Sequence, residues 1–160
     1  MESNKVCFKM IEKELIKLRK NLKSIDAWRA EIEVINKKMS AYKSGGFSLG
    51  SKSQATVTLD DILARDETKL NTLESNIDYT QYKLKEYTAF LYLLDENEYD
   101  VINRRYLDVK NKRENKIRSY EKIAKEMHCS HTTAKRWHDS AIEKIVNHKN
   151  EKVGESVDIA

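Results

Sequence analysis

From Ile11 to Tyr42 the apolar residues fall at Ile11, Leu15, Leu18, Leu22, Ile25, Trp28, Ile32, Ile35, Met39 and Tyr42. Almost every step is three or four, which lines one face of a helix. The positions between them are mostly Lys, Glu, Arg and Asn, as a hydrated outer face requires. The pattern predicts a long first helix over residues 5–43. It stops at Ser44, where SGGFSLGSKSQATV (44–57) supplies glycine and serine in place of periodicity and reads as a linker or loop. Thr58 then offers a capping hydroxyl three residues before Asp61. Leu63, Leu70, Leu73, Ile77, Leu84, Tyr87, Leu91 and Leu94 follow. Asp66 and Thr80 fill the two gaps in this four-three spacing, a 3.5-residue period of the coiled-coil kind. Polar residues at those two stripe positions are expected to lower stability and favour one register. The two long helices form an antiparallel hairpin most simply, or pair between chains as a dimer.

Beyond Leu94 the segments shorten. Asp95-Glu96-Asn97-Glu98 is a fresh capping cluster, and it opens a helix predicted over 96–107. A basic loop (108–118) separates that helix from two further elements, predicted over 119–127 and 130–148. In the first of these, Ile123, Ala124 and Met127 make an apolar face, with Ala124 small enough for a close helix crossing. His128 and Cys129 form a tight turn. Ser130 is placed to cap the next helix by accepting from the N–H of Thr132 or Thr133. Ala134, Trp137, Ala141, Ile142 and Ile145 form its inner face. The opposite face is expected to present His131, Thr132, Lys135, Arg136, His138 and Asp139. A small residue, a short turn and a capped second helix with a polar, basic N-terminal face are what a helix-turn-helix requires.

The fold class that follows is all-α: a long coiled-coil-like helical hairpin (1–94), a C-terminal helix-turn-helix module (95–150) and a flexible tail (151–160). The module is expected to fold without residues 1–57. Composition agrees, since the 160 residues include no proline and only four glycines. Charge is unevenly distributed. Residues 101–150 carry 13 Lys/Arg against 6 Asp/Glu, whereas residues 1–100 carry 16 against 17. The positive excess lies in the segment that holds the motif, which points to a polyanionic partner.

The candidate double-stranded DNA contacts are therefore specific. Lys135 and Arg136 suit guanine O6 and N7 in the major groove. His131 and Thr132 suit base edges or the thymine methyl, and Ser130 and Thr133 suit phosphate oxygens at the positive end of the helix dipole. His138, Tyr120, Lys122 and Arg105 complete the set. Arg105 could equally pair with an acidic neighbour within the fold or reach a phosphate, and the hydroxyl of Tyr120 could reach the DNA backbone. Trp28 and Trp137 lie on apolar stripes and read as core.

The spacing of Tyr99, Val101, Ile102, Arg105, Tyr106 and Leu107, then Tyr120, Ile123, Ala124 and Met127, then Ser130, Thr133, Ala134, Arg136, Trp137, Ala141 and Ile142 resembles region 4 of sigma-70-type factors. It is similar, more narrowly, to phage transcriptional regulators of the RinA and ArpU type, whose upstream layout also resembles this chain. That resemblance implies a phage late-operon activator that binds promoter-proximal DNA in the host cytoplasm and contacts host RNA polymerase. Two departures stand out. His128 occupies a turn position where the family usually has glycine, and the 108–118 loop is longer and more basic than in sigma factors.

Other chemistry finds little support. His128, Cys129, His131 and His138 lack the paired spacing of a structural zinc site. Cys7 and Cys129 read as reduced thiols. There is no phosphate-binding glycine loop, Cys–His–acid arrangement or apolar carboxylate pair, so neither an enzyme nor a cofactor is expected. No apolar run reaches the ~18 residues of a membrane span, and the first ten residues do not read as a signal peptide. A soluble, cytoplasmic homo-oligomer, most simply a dimer, is the expectation. The rival readings are a small terminase subunit and a helical protein-interaction module.

Overall fold

A computed structural model describes residues 5–44, 58–110 and 116–155. Among them the fold is all-α, with no strand. Five α-helices run in order: α1 (Phe8–Lys43), α2 (Leu59–Ala89), α3 (Glu96–Ile102), α4 (Tyr120–Glu126) and α5 (His131–Glu155). A 3₁₀ turn, Phe90–Leu93, closes α2, and a π-helical turn, Asn103–Leu107, closes α3. The Asp108 N–H bonds the carbonyl of Asn103 at 2.7 Å, the five-residue reach that defines a π turn. Most of the predicted 44–57 loop lies outside the described residues. The tail expected from residue 151 is helical as far as Glu155.

Local sequence explains where the helices begin. Thr58 and Asp61 cap α2 reciprocally, each side chain accepting from the other's backbone N–H (3.1 and 3.3 Å). Asp95 and Glu98 form a full capping box on α3, satisfying two N–H groups that the helix itself cannot. Ser119 caps α4 by accepting from the Lys122 N–H.

The chain forms two compact units that do not divide at residue 94. Residues 24–81 make one; residues 1–23 and 82–160 make the other. In the first, α1 and α2 pack through Ile35, Met39 and Leu73, with Trp28, Ile32, Leu63 and Leu70 alongside. Lys38 faces Asp66, and Glu31 forms an ion pair with Lys69. Rising numbers in one helix meet falling numbers in the other, so the pair is antiparallel. Thr80 is fully buried, its hydroxyl donating to the Asn76 carbonyl at 2.7 Å, so the polar stripe position is satisfied within its own helix.

The second unit has a different architecture. Its core joins Ile11, Leu15 and Leu18 of α1 to Tyr87 at the end of α2 and Phe90 just beyond it. Ile102 and Tyr106 line it from the α3 segment, and Ala141, Ile142 and Ile145 from α5. Ile11, Leu15 and Ile142 are all 0% exposed. Val6 and Asn150 lock the ends of α1 and α5 by two hydrogen bonds, 2.9 and 3.0 Å. The N-terminal turns of α1 are thus part of the core on which α5 rests, and the expectation of a module independent of residues 1–57 gives way to this arrangement.

Deleting residues 1–23 removes three fully or nearly fully buried apolar side chains, Ile11, Leu15 and Leu18, each worth about 2–5 kcal/mol in such sites. That sum exceeds much of the 5–15 kcal/mol stability of an ordinary domain. We expect the truncated chain to lose cooperative thermal unfolding of its C-terminal half, followed by far-ultraviolet circular dichroism. Retention of a sharp transition would mean that the C-terminal helices hold together unaided.

Candidate nucleic-acid interface

The interface is built on the turn between α4 and α5. Helix α4 ends in a Schellman arrangement: the Cys129 N–H bonds the Ala124 carbonyl at 3.0 Å, and the His128 N–H bonds that of Lys125 at 3.4 Å. Such an ending needs a left-handed residue, and His128 supplies it with φ 54°. Cys129 packs with Ala124 in a small core that also holds Val101, Ile123 and Ala134, with Met127 and Trp137 at its edge. Trp137 is half-buried there.

Ser130 then starts α5. Its Oγ accepts from the Thr133 N–H at 3.1 Å and lies 2.8 Å from the Thr133 hydroxyl. The cap fixes the direction in which the first turns of α5 point. His131, Thr132, Lys135 and Arg136 are exposed there, and Lys135 and Arg136 hold no ion pair among the described residues. A shallow groove of about 370 Å³ follows this face past Thr132, Lys135 and Arg136 to Asp139, Ser140 and Glu143. The face is basic toward the N-terminus of α5 and acidic one to two turns later. The His131 ring sits edge-on to Tyr120, centroids 5.9 Å apart, which orients it without covering it. Lys122 is exposed on α4.

His138 requires a correction. Sequence placed it on the outer face, yet it is 0% exposed. Position 138 follows Ala134 by four and precedes Ala141 by three, so it lies on the inner stripe despite its polarity. Its Nε2 meets the Tyr106 hydroxyl at 2.8 Å; its Nδ1 meets the Tyr120 hydroxyl at 3.0 Å and Asp139 Oδ1 at 2.9 Å. A neutral ring with Nδ1–H directed at Asp139 and Nε2 accepting from Tyr106 satisfies both nitrogens. Burial pushes the imidazole below its ordinary value; nearby Arg105 adds to this, while Asp139 opposes it. Burial also raises the Tyr120 phenol, to about 12.

Tyr120 and Arg105 likewise turn inward. The Tyr120 hydroxyl is engaged by His138, so it is not directed at a DNA backbone. The Arg105 guanidinium lies over the Tyr120 ring, 4.2 Å from its centroid, and donates to the Arg118 carbonyl and the Tyr106 hydroxyl. Arg105 is held within the fold by a hydroxyl, a carbonyl and an aromatic face, not by the acidic neighbour expected from sequence.

Sequence reading missed the residues that hold α5 in place. Glu98 is 3% exposed and accepts from the Ser140 hydroxyl at 2.7 Å and the Lys144 ammonium at 2.8 Å, so the capping carboxylate of α3 also anchors α5. Arg104 bridges Asp100 and Glu126 at 3.0 Å each, tying α3 to α4. The Asp95-x-x-Glu98 spacing was the available signal for the cap, but nothing in it indicated α5.

No protein-family model, curated protein or solved structure matches the chain. Among the described residues no group of three or more potential ligands could hold a metal. Both cysteines are free, Cys7 exposed and Cys129 half-buried, and among the described residues no helix is long and apolar enough to cross a membrane.

Two expectations follow. The unfolded chain takes up a proton at His138 near pH 6.5, whereas the folded chain, with its depressed value, does not until lower pH. Stability is therefore fully present above that value and falls as pH drops below about 7. Urea unfolding across that range should show the slope, and His138→Gln should flatten it; an equal slope in the variant would assign the dependence elsewhere. His128→Gly should stabilise the fold by about 1 kcal/mol. The left-handed cost of about 1–2 kcal/mol outweighs glycine's unfolded-state entropy of about 0.4–1 kcal/mol. A lower melting temperature would count against strain at this turn.

Proposed function

We propose that the chain is a sequence-specific binder of double-stranded DNA that inserts the N-terminal turns of α5 into the major groove. The observation that carries this reading is the exposed face of Thr132, Lys135 and Arg136 on a capped helix. The opposite side of that helix is fixed by a core and by Glu98. A groove-reading helix needs both parts, because a helix free to roll cannot hold bidentate contacts in register. The basic-to-acidic order along the face fits a helix that enters the groove end-on, leaving Asp139 and Glu143 away from the phosphates. The Ser130–Thr133 hydroxyl pair at the positive helix end suits a phosphate oxygen.

In this reading the protein is a transcriptional regulator rather than an enzyme. The resemblance to RinA- and ArpU-type regulators and sigma-70 region 4 supports activation of a phage late operon in the host cytoplasm, with host RNA polymerase as a partner. Two copies joined through the long hairpin would present two α5 helices to one site.

Selection of bound fragments from sheared phage and host DNA over a salt series tests the assignment. Enrichment of a promoter-proximal site, with affinity falling steeply as salt rises, is expected. Enrichment of a packaging site would make the chain a small terminase subunit. No enrichment at any salt would redirect the exposed face to a protein partner. On the selected site, Lys135→Ala and Arg136→Ala should each cost about 1–3 kcal/mol and lose much less on unrelated DNA. Equal losses on both duplexes would remove these residues from base reading.

A further inference from the structure

Helix α1 brings charge to the helix-turn-helix unit that the sequence-wide balance conceals. Residues 5–23 contain seven Lys/Arg against two Glu, and they belong to the same compact unit as α4 and α5. Three side chains of α1 mark where it lies against that unit. Phe8 packs edge-on to His138, centroids 6.2 Å apart. Glu12 is close enough for its charge to act on Tyr120 and His138. Arg19 is 3% exposed and donates to the Asp108 carbonyl at 2.9 Å. These residues run from His138 on α5, past the start of α4, to the end of the π turn.

Each of the three is followed directly by an exposed lysine: Lys9, Lys13 and Lys20. One residue advances an α-helix by about 100°, so all three are rotated from the packed edge in the same sense. They form a single row along one flank of α1, about 16 Å long at 1.5 Å per residue. Over that length one DNA strand presents about five phosphates at 3.4 Å each.

We propose that Lys9, Lys13 and Lys20 form a second, sequence-independent DNA contact, a row that follows the phosphate backbone beside the duplex that α5 reads. The proposal rests on the DNA-binding reading above. The row neutralises phosphates and sets the position of the protein on the duplex, while α5 chooses the sequence. It also gives the N-terminal turns a role in binding as well as in the core.

The test is the salt dependence of binding by the full chain to a mixed-sequence duplex of about 40 bp and to the selected site, measured by fluorescence anisotropy. Each phosphate contact contributes a slope of about −0.9 in log K against log salt. The triple variant K9Q/K13Q/K20Q should therefore lose about 2.7 of slope on both duplexes, with its preference for the selected site unchanged. The matched variant K9R/K13R/K20R should retain the slope, which separates charge from any effect on folding. The same change at exposed Lys37, Lys43 and Lys69 in the other unit controls for net charge and should leave the slope alone.

An unchanged slope in K9Q/K13Q/K20Q, or an equal loss in the control triple, overturns the row while leaving α5 as the reading helix. Wild-type chain that binds neither duplex at low salt overturns the DNA reading, and the row with it.

Discussion

The inner face of α5 is the surface around which the rest of the second unit is organised. Ala134, His138, Ala141, Ile142 and Ile145 are all at or below 1% exposure, and no single partner helix could cover a stripe of that length. Three groups of residues share it. The small core under Ala134 comes from α3 and α4. Ile142 and Ile145 lie against α1 and the end of α2. His138 sits between them, against Tyr106, Tyr120 and Phe8. Removing any one partner exposes apolar area at roughly 25 cal/mol per Å² and frees the helix to roll. The outer face can be presented at a fixed angle only because the inner one is held along its length.

Putting a histidine in that position has a clear physical cost. A buried imidazole must have both nitrogens satisfied or lose the desolvation free energy of an unpaired polar group, about 1–3 kcal/mol. Tyr106 meets that demand at Nε2 and Asp139 at Nδ1, with the Tyr120 hydroxyl sharing the Nδ1 side at 3.0 Å. A Leu or Ile at 138 would fill similar space without requiring any of them. The hydrogen bonds instead couple the direction of α5 to the start of α4 and to the π turn, because the ring accepts partners only in its own plane. Glu98 works in the same way at the other end: one carboxylate closes the α3 cap and holds Ser140 and Lys144 of α5.

Much of this was legible in the sequence, for reasons that also explain the failures. Every stripe residue predicted on α1, from Ile11 to Tyr42, is buried or half-buried, since a 3.6-residue helix allows no other face for that spacing. The Ser130 cap was readable from local rules, and the resemblance marked His128 as a turn position where glycine is usual. Periodicity identifies a buried face but not what covers it. The stripe of α1 looks alike on either side of Lys23, yet one part packs on α2 within residues 24–81 and the other on α5. His138 was misplaced because polarity was weighed above spacing. Four residues after Ala134 and three before Ala141, it had a position that only an inner face could provide.

The same reasoning accounts for the charge pattern. Divided at residue 100, the sequence reads as a neutral arm followed by a basic module. Divided as the chain folds, residues 24–81 hold 7 Lys/Arg against 9 Asp/Glu, and the other unit carries 23 against 17. Many of those extra cations are already matched: Arg104 and Arg118 by Glu126, Lys149 by Glu14 and Glu86, and Lys144 by Glu98. Matched charges contribute little field beyond a Debye length of about 8–10 Å. The field available to a polyanion depends on which cations are exposed at the surface, among them Lys135 and Arg136 on α5 and Lys9, Lys13 and Lys20 on α1, more than on the net count. Folding pairs several of the unit's cations with carboxylates and exposes others on the faces of α5 and α1 that the core does not use.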